Sequence, residues 1–247
     1  MANSHRAFPL LAIGLALLVG ASAQALEPLG PPGAPADAFP KPNRPVAEIV
    51  SPIWGTEEKR DAVDESGQII RRLGIEPGMI VADLGAGSGY HTVRLARALG
   101  PDGRVLAQDV SPKHLELLQK RLRKERLTNV TLGLGEPHDP RLPSKSVDVA
   151  LLAHVYHEIA QPFAFLHNLA PALKPGGRLA VVELDRPTRE HGTPRELLRR
   201  ELAAAGYEQL SVSKLKGNIG YLAVFRPPGE GQRPAPQSIK PCPARRR

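Results

Sequence analysis

Residues 81–100, VADLGAGSGYHTVRLARALG, limit what this chain can fold into more than any other stretch. A short apolar run ends in Asp83, three glycines follow within five residues, and a helical pattern begins. Gly85, Gly87 and Gly89 let the chain turn sharply and let a ligand touch backbone, and Ala86 between them adds little bulk. The helix that follows points its first amides at the same place. A strand, a glycine loop and a helix in that order form the opening unit of a parallel sheet with a ligand at one end.

The rest of the body repeats the alternation. Residues 56–73 read as one amphipathic helix stopped by Gly74, and 79–84 as a buried strand. A helix over 88–99 precedes a strand at RVLAQDV, and Ser111 is placed to cap a helix that has Pro112 in its first turn. Leu115, Leu118 and Leu122 repeat there at helical spacing. NVTLGLG and SVDVALLAHV are the third and fourth strands, Pro162 opens a helix, and RLAVVEL is the fifth strand. Thr193-Pro194-Arg195-Glu196 has the form of a capping box. The last two strands, near 208–214 and 221–225, lack a crossover helix and are expected as an antiparallel hairpin at the sheet edge. The expected fold class is α/β, a doubly wound and mostly parallel sheet.

Outside the body the composition changes. Arg6, the apolar run 7–19 and the small residues of ASAQA have the layout of a secretory leader over 1–25, cut before Gln24 or Leu26. A short membrane anchor that leaves the domain in the cytoplasm is the alternative. Residues 26–50 are dense in proline and read as a semi-extended tether, leaving 51–226 as the domain. Residues 227–247 read as a disordered basic tail. Half of the net charge of +8 sits in that tail, where five basic side chains oppose Glu230. With Arg6 also removed, the body carries only +3, which is no nucleic-acid footprint. The tail's charge suits anionic surfaces or plain solvation. Cys242 is the only cysteine, so no internal disulfide and no cysteine-built metal cluster is expected. No metal site is expected from the histidines either, since His154 and His157 bring no third ligand at a recognisable spacing.

Three details bear on the ligand. The glycines are spaced G-x-G-x-G, not G-x-G-x-x-G, and Asp83 precedes them, which suits a cation better than a diphosphate. Asp109 ends the second strand, placed to accept from two ribose hydroxyls, with Val110 behind it. Nicotinamide folds also use an acid there. A nucleoside with a positive charge and no phosphate satisfies all three.

The motifs VADLGAGSGY, GRVLAQDVSP, SVDVALLAHVYHEI, LKPGGRLAVVEL and ELAAAGYEQL, in that order across 56–225, resemble the class I S-adenosylmethionine-dependent methyltransferases, in their small-molecule "type 11"-like branch. The resemblance implies a seven-stranded Rossmann-like sheet with a reversed last strand, S-adenosylmethionine as cofactor, and methyl transfer to a small acceptor. It places Asp83, Gly85 and Gly87 at the methionine end and Asp109 at the ribose. Glu136 falls beside the adenine, with Asp139 as the alternative acid.

Methyl transfer from a sulfonium needs alignment and exclusion of water, and some acceptors need a proton removed. Side chains just past the fourth strand face that reaction. His154 is the first candidate base or acceptor ligand, followed by Tyr156, His157 and Glu158. The competing reading has His157 and Glu158 fastening a helix start and Tyr156 packing. Loop 185–193, with Arg186, Arg189 and His191, is expected to border the same cleft, and Trp54 to lie in a lid or simply pack. The basic run of the helix after Ser111 reads as a solvated face. Two other functions stand beside methyl transfer: a non-catalytic exported binding module on this fold, and a nicotinamide-dependent oxidoreductase. Export conflicts with a cofactor made in the cytoplasm.

Overall fold

The computed structural model describes residues 26–49 and 56–242. The leader, Trp54 and the last five residues lie outside the described residues. Among the described residues no helix is long and apolar enough to cross a membrane.

Seven strands form one sheet: β1 (Ile80–Leu84), β2 (Arg104–Asp109), β3 (Val130–Leu134), β4 (Val147–Ala153), β5 (Leu173–Glu183), β6 (Glu208–Lys214) and β7 (Tyr221–Arg226). Their order is β3-β2-β1-β4-β5-β7-β6. The first five are parallel, and β7 runs antiparallel between β5 and β6. The order reverses between β1 and β4, so a crevice opens beyond their carboxyl ends. The sequence-derived doubly wound sheet with a terminal hairpin is the sheet observed.

Both faces are covered. Alternate residues of the central strands divide between two cores, as a period of two requires. Leu84, Leu152, Val181 and Phe225 meet α5 (Pro162–Leu169) and α6 (Arg195–Ala204). Val81, Leu151, Val182 and Val224 meet α2 (Glu65–Leu73), α3 (Tyr90–Leu99) and α4 (Pro112–Lys124). The Ser111 hydroxyl caps α4 by accepting from His114 N at 3.4 Å, with Pro112 in the first turn.

Several local expectations are corrected. The single helix over 56–73 is two, α1 (Glu57–Ala62) and α2, broken where Asp64 adopts φ 51°. Gly67 lies so near that an added Cβ would stand 2.1 Å from the Asp64 carboxylate. The capping box at Thr193 does not form. Its hydroxyl is buried without a hydrogen-bond partner among the described residues, and Asp185 instead accepts from Arg195 N at 3.1 Å.

The proline-rich segment 26–49 is extended but is no free tether: it is a strap packed along the domain. Glu27 O accepts from Leu134 N, Gly33 N donates to Asp139, and Ala34 exchanges two hydrogen bonds with Asn168. Arg44, its side chain 3% exposed, makes a forked pair with Glu201 at 3.0 and 3.1 Å. The tail is likewise held as far as Cys242. Ile239 inserts beside Phe39, Phe163 and Ala164, and Arg233 donates to His167 O. Composition read both segments as unable to bury apolar surface, yet one phenylalanine and one isoleucine suffice when a ready groove exists.

Candidate active site

The glycine loop leaves β1 with Gly85, Gly87 and Gly89 all at positive φ, 72°, 54° and 87°. This region is costly for residues with a Cβ. Space is as limiting as angle. An added Cβ would stand 2.7 Å from Val155 Cγ2 at Gly85, and 2.3 Å from the buried Leu118 at Gly89. The loop is therefore pressed between the β4 end and α4, with its backbone facing the crevice.

A cleft of about 1250 Å³, open mouth included, lies over this loop. Its walls include Asp83, Gly85, Ala86, Gly87, Asp109, Val110, Glu136 and His154. Gly89 does not line it and serves the packing on Leu118. Asp109 is 5% exposed, and each of its oxygens already accepts one backbone amide, Gly87 N at 2.9 Å and Ser111 N at 2.9 Å. His114 Nδ1 stands 3.2 Å from the Ser111-bound oxygen. A carboxylate has about four acceptor positions, so the Gly87-bound oxygen retains one, and the second position of the other oxygen faces His114.

Asp83 is buried and accepts from Thr92 Oγ1 at 2.5 Å. Burial pushes its carboxyl above the usual range, with His91, Thr92 and Arg60 opposing. Glu136 faces the cleft, tied to Arg141 at 2.6 Å. Asp139, the other acid considered, is turned away, its oxygens holding Gly33 N and Arg141 N. The far wall is apolar, built from Ile49, Leu152, Val155, Ile159 and Phe165.

His154, 5% exposed, sits at φ 59° and donates its backbone N to Val182 O. Its Nε2 lies 3.3 Å from Glu65 Oε1. Glu65 is 1% exposed and also receives Arg60 at 2.7 and 2.9 Å and faces His91 Nε2 at 3.4 Å. Burial would raise the Glu65 carboxyl, but the bonds from His154, His91 and Arg60 outweigh it and hold it below the usual range. Burial lowers His91, with the Arg60 charge adding to that and Glu65 opposing.

Tyr156 and His157, also candidates from sequence, do not line the cleft. Tyr156 is fully buried, its hydroxyl donating to Glu201 Oε2 at 2.9 Å, with the Arg44 guanidinium 5.3 Å from its ring centre. It is core. His157 Nδ1 lies 2.9 and 3.0 Å from the two Glu183 oxygens. Glu158 does reach the cleft, and burial, with the charges of Glu183 and Asp109, raises its carboxyl to about 7 against the opposing effect of His157. Loop 185–193 does not border the cleft. Arg186 donates to His191 O, and Arg189 pairs with Glu190.

Sequence reasoning missed Arg60, Glu65, His91 and Gln108. The Gln108 Nε2 is buried without a hydrogen-bond partner among the described residues, and the side chain lines the cleft. Glu65 had one signal: Glu65, Ser66 and Gln68 are polar yet share the α2 face that packs inward.

A sheet of this order with a glycine loop at its reversal is the class I methyltransferase architecture. A methyltransferase domain model matches residues 75–222, and the chain belongs to the class I S-adenosylmethionine-dependent methyltransferase family. The demethylmenaquinone methyltransferase of Lactococcus lactis is 27% identical over 150 residues, covering 58% of this chain and 60% of that protein. That of Tropheryma whipplei is 35% identical over 119 residues, covering 48% and 47%. The chain thus spans about half the length of these curated relatives. A methyltransferase structure from Aquifex aeolicus superposes with a TM-score of 0.60 over 70% of this chain and 97% of that one, at 23% identity, a likeness of fold.

Proposed function

We propose that this protein transfers the methyl group of S-adenosylmethionine to a small, largely apolar acceptor. The observation that carries the reading is the loop and its acid: three glycines at positive φ, with Asp109 holding Gly87 and Ser111 and keeping an acceptor position on the Gly87-bound oxygen. Gly85, Gly87 and Asp83 would hold the methionine end, Asp109 the ribose, and Glu136 and the unpartnered Gln108 amide the base. The buried Asp83 carboxylate suits a ligand bearing positive charge. When bound, the cofactor supplies a methyl group already activated on a sulfonium. The chain's own part is to align the acceptor against Leu152, Val155, Ile159 and Phe165 and to exclude water. His154 stands at the end of β4, and with its Nε2 held by Glu65, its Nδ1 would be the atom that accepts a proton or holds a polar atom of the acceptor.

Among relatives, quinone and arsenite methyltransferases both occur. Arsenic(III) favours soft thiolate ligands, and the sole cysteine, Cys242, is in the C-terminal segment. An apolar, quinone-like acceptor fits the Ile159–Phe165 wall better. Calorimetric titration with S-adenosylhomocysteine and with a nicotinamide dinucleotide tests the reading. Micromolar binding of the first alone supports it, and binding of the dinucleotide alone, or of neither, sinks it.

We propose that residues 1–25 act as a cleaved secretory leader and that the mature domain lies outside the cytoplasm. N-terminal sequencing of natively expressed protein should begin at Gln24 or Leu26, and a sequence starting at Ala2 would defeat export.

A further inference from the structure

We infer that His157, Glu158 and His191 form a divalent-metal site of the zinc class, beside the apolar end of the cleft. One ligand atom from each side chain lies within 4.8 Å of the other two. The His157 and His191 rings meet edge to face, 5.5 Å between centroids at 85°, and His157 Nε2 stands 3.8 Å from Glu158 Oε1. Two imidazoles and one carboxylate are the donor set that binds zinc and its neighbours in the transition series. A bound ion needs ligand atoms somewhat closer together, a shift of about 1 Å. Glu158 and His191, both only half-buried, have room for it.

The surroundings are built as such a site requires. His157 Nδ1 faces both Glu183 oxygens, at 2.9 and 3.0 Å. With Nδ1 turned to that carboxylate, Nε2 is the ring atom on the Glu158 side and would face the ion. A buried carboxylate behind a ligand histidine is the usual way a protein orients it and raises its basicity. Both histidine-bearing turns are anchored to the strap. Ala47 N donates to His157 O, Thr188 Oγ1 donates to Pro45 O, and His191 N donates to Thr188 O. Glu158 and Glu183 put two carboxylates on either side of His157, and a doubly charged ion offsets both. Of the nearby cations, Arg44 is spent on Glu201 and on the carbonyls of Tyr156, His157 and Ile159, Arg186 donates to the His191 carbonyl, and Arg189 pairs with Glu190. Three protein ligands leave a fourth position open, as in sites that bind a substrate atom. Of the three ligands Glu158 alone is a wall of the cleft. Sequence spacing gave no sign of the third ligand because it arrives on the loop after β5, folded back against the turn that carries His157.

The test uses untagged full-length protein stripped with chelator, titrated with Zn²⁺ by calorimetry and with Co²⁺ by visible absorption. The expected result is one ion per chain and an intense four-coordinate cobalt band. His191→Ala should weaken Zn²⁺ at least 30-fold, and Glu158→Gln roughly 10-fold or more. Glu183→Gln should weaken it about 10- to 100-fold, while His167→Ala, outside the cluster, should leave it unchanged. Circular dichroism verifies folding, and the partly exposed His191 and Glu158 make those variants safe where a change at buried His157 is not. Absence of stoichiometric binding, or equal binding by folded His191→Ala, overturns the site. Protein that takes up zinc but not S-adenosylhomocysteine keeps this inference and loses the methyl-transfer reading.

Discussion

Removing the Asp109 carboxylate should separate two roles that the structure superimposes. Its oxygens accept Gly87 N and Ser111 N, and in the proposed reading the carboxylate also accepts from a ribose diol. Hydrogen bonds to a charged acceptor contribute about 1.5–3 kcal/mol each. Water re-entering the cavity returns part of this, leaving about 2–4 kcal/mol for the pair, a loss of roughly 30- to 1,000-fold in affinity. Asp109→Ala also strands the buried Gly87 amide, at about 1–3 kcal/mol of stability. For a domain of this size that corresponds to a fall of roughly 2–10 °C in Tm. Loop distortion alone would also weaken binding, so a 2′-deoxy analogue of S-adenosylhomocysteine supplies the control. Calorimetry should show the analogue binding wild type roughly 10- to 100-fold more weakly than the natural nucleoside. The same pair should bind Asp109→Ala equally. If the deoxy penalty persists undiminished in the variant, Asp109 acts only on the loop and the ribose is held elsewhere.

Two further outcomes follow from the buried polar cluster. His154→Ala should leave S-adenosylhomocysteine affinity within a few-fold and lower turnover; a collapse of affinity in folded protein would put His154 in the cofactor subsite, and no change in either would make it packing. Acidification should destabilise the fold below about pH 4.5, followed by urea denaturation at several pH values. Glu65 is depressed from 4.5, so its contribution is present above that value and is lost as pH falls further. His91, depressed from its ordinary 6.5, also lowers stability as pH falls below that value, because the unfolded chain binds the extra proton first. Glu158, raised from 4.5 to about 7, and Asp83, raised from 3.8, act in the opposite sense, so Glu158 offsets His91 between pH 7 and 4.5. Stability that fails to fall as pH drops below about 4.5 would contradict the Glu65 contribution.

The elements that local chemistry specifies were legible in the sequence. Alternating strands and helices, the glycine loop, the Ser111 cap and the closing hairpin all depend on neighbours in the chain. What escaped depends on partners far away. Glu65 looks like one more charge on a surface helix until Arg60, His91 and His154, from three separate elements, close around it. Thr193 has the right neighbours for a cap, yet Asp185 reaches Arg195 N first. Tyr156 and His157 follow the strand that faces the cleft, but their 3-10 turn sends one into the core and the other toward Glu183. No periodicity records which way a turn will aim two adjacent side chains.

The strap has a consequence for how the chain reaches its final state. Arg44 meets Glu201 across 157 residues of sequence, and β7, the last strand made, lies between β5 and β6. Synthesis delivers the first of these partners long before the last, so the N-terminal segment waits while the sheet grows. Contacts this distant close late and slowly, because the loop they seal is long. A nascent chain stalled before α6 would hold Arg44 without its carboxylate and Tyr156 without its acceptor. The strap's charged anchor therefore closes only after α6 is made, long after the glycine loop in the order of synthesis.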